Sequence, residues 1–182
     1  KNASLLRGEP SSVGVSVGWA IGGFFLAIFA QSLAANIEIN LFGVEPGSEN
    51  TEMIVSVIEV TPLVIIVTSI IGPILEEIIF RKIIFGVLYK RTNFIIAGLI
   101  SSLLFSLLHG EPQHLLLYAS MGFTFAFLYV KTKRIIVPIF AHVAMNTMVI
   151  IVQTVFREDI EKMMKQVEDM QQVQVIIGGL LT

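Results

Sequence analysis

The sequence predicts an all-α protein, a multi-spanning transmembrane helix bundle, and three observations carry that prediction. Of 182 residues 54% are hydrophobic and only 14% charged, with a mean hydropathy of +0.82, whereas soluble domains carry about 25% charged residues. Long runs without a formal charge recur, among them Pro10 to Ile37 and Val60 to Leu75; a span needs about 20 apolar residues. Basic residues gather in alternate connections, as orientation in a bilayer requires.

The same figures narrow the function classes. A net charge of −2 argues against nucleic-acid binding, which wants a basic surface. The absence of cysteine rules out disulfides, thiolate metal sites and cysteine nucleophiles within the chain. No signal peptide is visible, and the first residue is Lys1 rather than methionine, as in a trimmed chain or fragment.

Lys1 to Pro10 reads as a polar lead, and Pro10 to Ile37 as the first span. Gly14, Gly18, Gly22 and Gly23 in that span are expected to let another helix approach closely. Glu38 to Glu52 reads as an acidic loop broken by Pro46 and Gly47, with a short amphipathic helix over Met53 to Glu59. Pro62 suits the first turn of the second span, which ends at Lys90 to Asn93 and is expected to kink at Gly72-Pro73. The third span runs from Phe94 to about His109, and Gly110-Glu111-Pro112 is a tight turn. The fourth runs from Pro112 to Val130, with His114 expected at the surface, and the fifth from Ile135 to Phe156. The predicted organisation is thus a membrane-embedded domain of about five spans over residues 1–156 and a tail over 157–182. Ile160, Met163, Met164 and Val167 give that tail a helical stripe, either on the membrane or on an ordinary solvated helix. Lys90, Arg91, Lys131, Lys133 and Arg134 fall on the side that positive-inside logic makes cytoplasmic.

The chemistry concentrates inside the second span. Glu76, Glu77 and Arg81 interrupt an apolar run, and ions there are costly unless they form a site, a relay or a buried pair. Glu77 and Arg81 are four apart and share a face, acid before base. Glu76 points about 100° away, with only Ile79 and Phe80 as its own helix neighbours, so its partner must come from elsewhere. Two further polar sets occupy apolar runs: His109 at the end of the third span, and His142 with Asn146 on one face of the fifth. Each alone has a bland reading as an interfacial or interhelical group. Together they supply a carboxylate, two imidazoles and an amide from three helices. Measured along straight helices their depths differ by roughly 12 Å, which tilt or kinks near Pro73 and Pro138 would have to close.

Three motifs now line up in order: Glu76-Glu77-Ile78-Ile79-Phe80-Arg81 as E-E-x-x-x-R, Phe105 to His109 as F-x-x-x-H, and His142 to Asn146 as H-x-x-x-N. In this the chain resembles the type II CAAX prenyl endopeptidase and bacteriocin-processing family, the CPBP or Abi intramembrane proteases. The resemblance implies an intramembrane endopeptidase, multi-pass in the cell membrane, in which Glu76 and His109 position and deprotonate a water. It implies that His142 and Asn146 stabilise the tetrahedral oxyanion and that Glu77 with Arg81 hold the site's shape. It implies as partners the lipid bilayer and a peptide or lipidated-protein substrate, prenylated CAAX proteins among the candidates, and no nucleic acid. Members often carry further N-terminal spans, which would fit a missing start.

The resemblance leaves two mechanisms open. Glu76, His109 and His142 would supply three ligands to Zn²⁺ with water as the fourth. No H-E-x-x-H helix is present, and Asn146 suits an oxyanion better than a cation, so no cofactor is the favoured reading and zinc the alternative. Two rivals of other classes remain: an ion-coupled membrane carrier, and a non-catalytic scaffold or self-immunity protein. The absence of a discontinuous helix pair in matched halves weighs against the carrier.

Overall fold

The computed structural model describes Leu6, residues 8–157 and, further on, residues 159, 160, 162, 163, 165, 166 and 170. Among the described residues the secondary structure is helical, without strands, and six helices carry the chain.

Helix α1 spans Val13–Phe42; the Ser12 hydroxyl caps it by accepting the N–H of Val15, and Gly43 ends it at φ 66°. It therefore runs on past Glu38, where a loop was expected, because no helix breaker precedes Gly43. Helix α2 spans Glu49–Val60, longer than the Met53 to Glu59 expected; Ser48 caps it, and Glu49 and Glu52 face its positive N-terminal dipole.

The motif helix, α3, is a composite. It runs through Val64–Ile66, a π-helical Val67–Ile71, Gly72–Glu76, a π-helical Glu77–Phe85 and Gly86–Arg91. The expected kink at Gly72-Pro73 thus takes the form of a change of hydrogen-bond register within a continuing helix. Pro73 has no N–H to donate, and the Gly72 N–H reaches back five residues to the carbonyl of Val67.

Helix α4 spans Phe94–Leu107, capped by Asn93; a 3₁₀ turn, Pro112–His114, leads into α5, Leu115–Thr132; and α6 spans Ile136–Val155. Helix α5 is central: it packs on α1, α4 and α6, while α3 lies against α4 and α6. Among the described residues three helical stretches are long and apolar enough to cross a membrane, Val13–Phe42, Pro112–Thr132 and Ile136–Val155. Of the other two spans expected, α4 is apolar but advances only about 21 Å, short of a hydrocarbon core of about 30 Å. Helix α3 has the length, but its two π stretches and its charged motif interrupt it.

Burial is inverted relative to a soluble protein. Phe25, Phe29 and Leu33 of α1 and Leu99, Leu103 and Leu107 of α4 are exposed, whereas Glu77, Arg81 and His142 are buried. That is the arrangement a lipid solvent selects. The core joins Phe80, Phe105, Phe125, Leu128 and Met145 from α3 to α6. Close helix approach rests on fewer glycines than the sequence suggests. A Cβ on Gly23 would collide with Leu128 and one on Gly122 with Ser102, but Gly14, Gly18 and Gly22 have nothing within 4 Å. Those three face away from the helices that pack on α1.

The tail expected over 157–182 falls largely outside the described residues, Met164 and Val167 included. Within them Met163 is exposed, and Arg157 pairs with Glu59 at the end of α2.

Candidate active site

The motif residues of α3 and α6 meet where those helices pack, and the depth spread of roughly 12 Å expected on straight helices does not keep Glu76, His109 and Asn146 from lining one cleft. The Glu76 carboxylate (Oε2) ends 3.6 Å from Nε2 of His142, across from α6. Its side chain is about one-third exposed, yet Oε2 itself is buried and makes no hydrogen bond to any of the described residues. Glu76 is thus the carboxylate without a partner on its own helix, as its position in the motif suggests.

Glu77 is fully buried and bridges two groups. Its Oε2 lies 3.3 Å from Arg81 Nε, and its Oε1 lies 2.9 Å from His142 Nδ1. The contact with Arg81 is an ion pair rather than an aligned hydrogen bond, and neither terminal guanidinium nitrogen has a hydrogen-bond partner among the described residues. The cation lies instead over aromatic faces, 4.3 Å from the Phe105 ring centroid and 5.4 Å from that of Phe125. The bond to His142 is the feature that spacing alone could not reveal. An ionised Glu77 accepts the Nδ1–H, which fixes the ring's orientation and turns Nε2 toward Glu76. Phe125 stacks on that ring at 4.7 Å.

His109 follows the last turn of α4. Its Nδ1 bonds the carbonyl of Phe105 at 2.9 Å, consistent with their spacing of four, and its ring stacks on Tyr118 at 4.0 Å. Asn146, one turn beyond His142 on α6, donates from Nδ2 to the carbonyl of Thr68 at 3.4 Å. That carbonyl is free for a reason in the sequence. Its α-helical donor would be the Gly72 N–H, which goes to Val67, and its π-helical donor would be Pro73, which has none.

Glu76, His109 and Asn146 line one cleft of about 300 Å³, with Val67, Gly72 and Leu108 on its walls. His109, Asn146 and His142 also line an adjoining cavity of about 130 Å³ that extends toward Ser48, His114 and Tyr118. All six residues singled out in the sequence therefore fall in one neighbourhood.

The fit to a metal is poorer. Among the described residues no three His, Asp or Glu side chains are grouped so as to hold an ion. Each histidine bonds through Nδ1, His142 to Glu77 and His109 to Phe105, which leaves its Nε2 open. Glu76, His109 and His142 as placed do not form a three-ligand set.

His114 needs correcting: it is buried, not at the surface. Because α1 continues past Ile37, Glu38 reaches the 3₁₀ turn and lies 3.3 Å from His114 Nδ1, while also accepting the Leu117 N–H at 2.9 Å. Nearby, Glu111 accepts from Tyr118 Oη (2.5 Å), Ser48 Oγ (2.9 Å) and the Asn50 N–H (3.1 Å). Burial pushes the Glu111 carboxyl up, but these three hydrogen bonds outweigh it and hold the group below the ordinary carboxylate range. This acidic rim lies at the end opposite Lys90, Lys131 and Arg134. A seven-residue separation between Glu111 and Tyr118 across a turn was the one hint of it in the sequence.

The structure is thus a membrane helix bundle in which Glu76, Glu77, His109, His142 and Asn146 gather around two adjoining cavities. Residues 58–148 match the type II CAAX prenyl endopeptidase Rce1-like family, and the chain belongs to that family of membrane peptidases, a multi-pass membrane protein. It is 56% identical over 177 residues to YdiL of Bacillus subtilis (strain 168), a candidate membrane peptidase, covering 97% of this chain and 70% of that one. It is 38% identical over 154 residues to the membrane-embedded CAAX protease MroQ of Staphylococcus aureus (strain USA300), covering 81% of this chain and 62% of that one. No solved structure matches the chain.

Proposed function

We propose that the protein is an intramembrane endopeptidase that hydrolyses peptide bonds of membrane-associated or lipidated proteins, without a metal ion. The observation that carries the reading is the convergence of Glu76, His109 and Asn146, from α3, the end of α4 and α6, on one cleft, with His142 in the adjoining cavity 3.6 Å from Glu76 and bonded to the buried Glu77. Glu76, with its unbonded Oε2, takes a proton from water as His109 positions it; the hydroxide oxygen attacks the scissile carbonyl carbon. Negative charge then develops on the carbonyl oxygen, where Nε2 of His142 and the Asn146 amide donate. For His142 to donate from Nε2 while Glu77 holds Nδ1–H, its ring must carry both protons, and a carboxylate lies on either side of it, Glu76 at Nε2 and Glu77 at Nδ1. The C–N bond breaks as the proton on Glu76 passes to the leaving amine. General-base help is worth about 10²–10⁴ in rate, and each oxyanion donor about 2.7–4 kcal/mol.

The purified protein in lipid nanodiscs should cleave a lipidated reporter peptide, and Glu76→Gln and His109→Ala should each lower kcat by two orders of magnitude or more, on the order of the general-base term. Activity should survive a chelator. Activity that is lost to chelation and restored by Zn²⁺ would make Glu76, His109 and His142 ligands instead. Proton-driven uptake without cleavage would replace the peptidase reading with the carrier.

A further inference from the structure

Hydrolysis consumes one water per bond cut, and an intramembrane site must obtain it from one face of the bilayer. We propose that the 130 Å³ cavity beside the catalytic cleft is its water channel, opening at the acidic rim, and that Gln31 of α1 holds the water column inside it. The proposal rests on the peptidase reading for its purpose but not for its test.

The lining supports a hydrated space. Gln31, Ser48, His114 and Tyr118 lead from the rim to His109 and Asn146, so polar groups occur along its length. Its volume has room for several waters. Gln31 is the informative residue. It is the sole amide or charge between Pro10 and Asn36, and it lies roughly 16 Å inside the acidic end of α1 at 1.5 Å per residue. It is half-buried, lines this cavity and makes no side-chain hydrogen bond to any of the described residues. A primary amide in hydrocarbon without a partner is costly, several kcal/mol on an alkane scale. Water in the cavity removes that cost by supplying up to four hydrogen bonds. Helix α1 also lies outside the segment matched to the family, residues 58–148, so nothing in the three motifs assigns a role to it.

Ser48 and the Asn50 N–H are tied to Glu111, which fixes the start of α2 at this end of the cavity, where Ser48, Asn50 and Thr51 line it. The larger cleft on the Glu76 side is walled by Val67, Gly72 and Leu108 and suits the peptide. Water and peptide then reach His109 from different sides.

The chain has no cysteine, which gives a clean background for the test. Gln31→Cys and Leu33→Cys are made in the full chain and treated in vesicles with a membrane-impermeant methanethiosulfonate. Leu33 is exposed on the outer, lipid-facing side of α1. Cysteine reacts as the thiolate, which needs water. Gln31→Cys should therefore react at least about tenfold faster than Leu33→Cys. Equal rates would overturn the channel whether or not the protein cleaves peptides, while fast Gln31→Cys labelling in a protein with no peptidase activity would leave the channel standing and remove the peptidase. Gln31→Met, close in volume and helix preference, gives the second readout: kcat should fall with KM unchanged. A rise in KM at constant kcat would assign Gln31 to peptide binding and refute its role in holding water.

Discussion

Removing Arg81 should unfold the protein, whereas neutralising Glu76 should silence it. Arg81 is fully buried, pairs with a fully buried Glu77 at 3.3 Å and lies over Phe105 at 4.3 Å. Arg81→Met keeps the apolar stem but leaves Glu77 with His142 as its only polar contact. Breaking one partner of a buried pair costs about 3–5 kcal/mol. At roughly 2–4 °C per kcal/mol for a chain of this size, the melting temperature should fall by about 6–20 °C. Glu76→Gln keeps the side chain's shape at a group that is one-third exposed and whose Oε2 bonds none of the described residues, so its shift should stay well below that of Arg81→Met. The assay is the melting temperature in detergent, followed by cleavage in lipid for every variant that stays folded. The double variant Glu77→Gln/Arg81→Met should recover part of the stability, because no uncompensated charge is left. It should not recover activity, because the carboxylate that orients the His142 ring through Nδ1 is gone. If Glu76→Gln melts the protein while Arg81→Met leaves it intact, the division of labour between the two glutamates is wrong.

Two other outcomes follow from the geometry. The Glu111 carboxyl titrates below its ordinary value of 4.5 in the folded protein, so its contribution to stability is fully present above that pH and is lost as pH falls through the depressed value; Glu111→Gln should flatten the acid limb of the melting-temperature profile, and an unchanged limb would show that the rim bonds do not matter. The positive-inside arrangement puts Lys131 in the cytoplasm and Glu45 outside; both are exposed, so single cysteines there should label from opposite faces, and outside labelling at Lys131 would reverse the orientation.

The sequence by itself determined the class of fold and the membrane as solvent, and it singled out the six residues that the structure brings into one neighbourhood. It could do so because lipid makes every buried charge an exception, and because helical periodicity says which exceptions share a face. Glu77 and Arg81 were legible as a pair at a spacing of four, and Glu76 as the group left over. Contacts between helices were not legible. Nothing local says that Glu77 bonds His142, sixty-five residues away, or that α1 carries Glu38 far enough to bury His114. The depths of Glu76, His109 and His142 could not be reconciled from helix rise alone. Only the tertiary structure decided which groups meet: Pro73 withdraws a donor, the Gly72 N–H bonds five residues back to Val67, and the released Thr68 carbonyl finds the side chain of Asn146 on another helix.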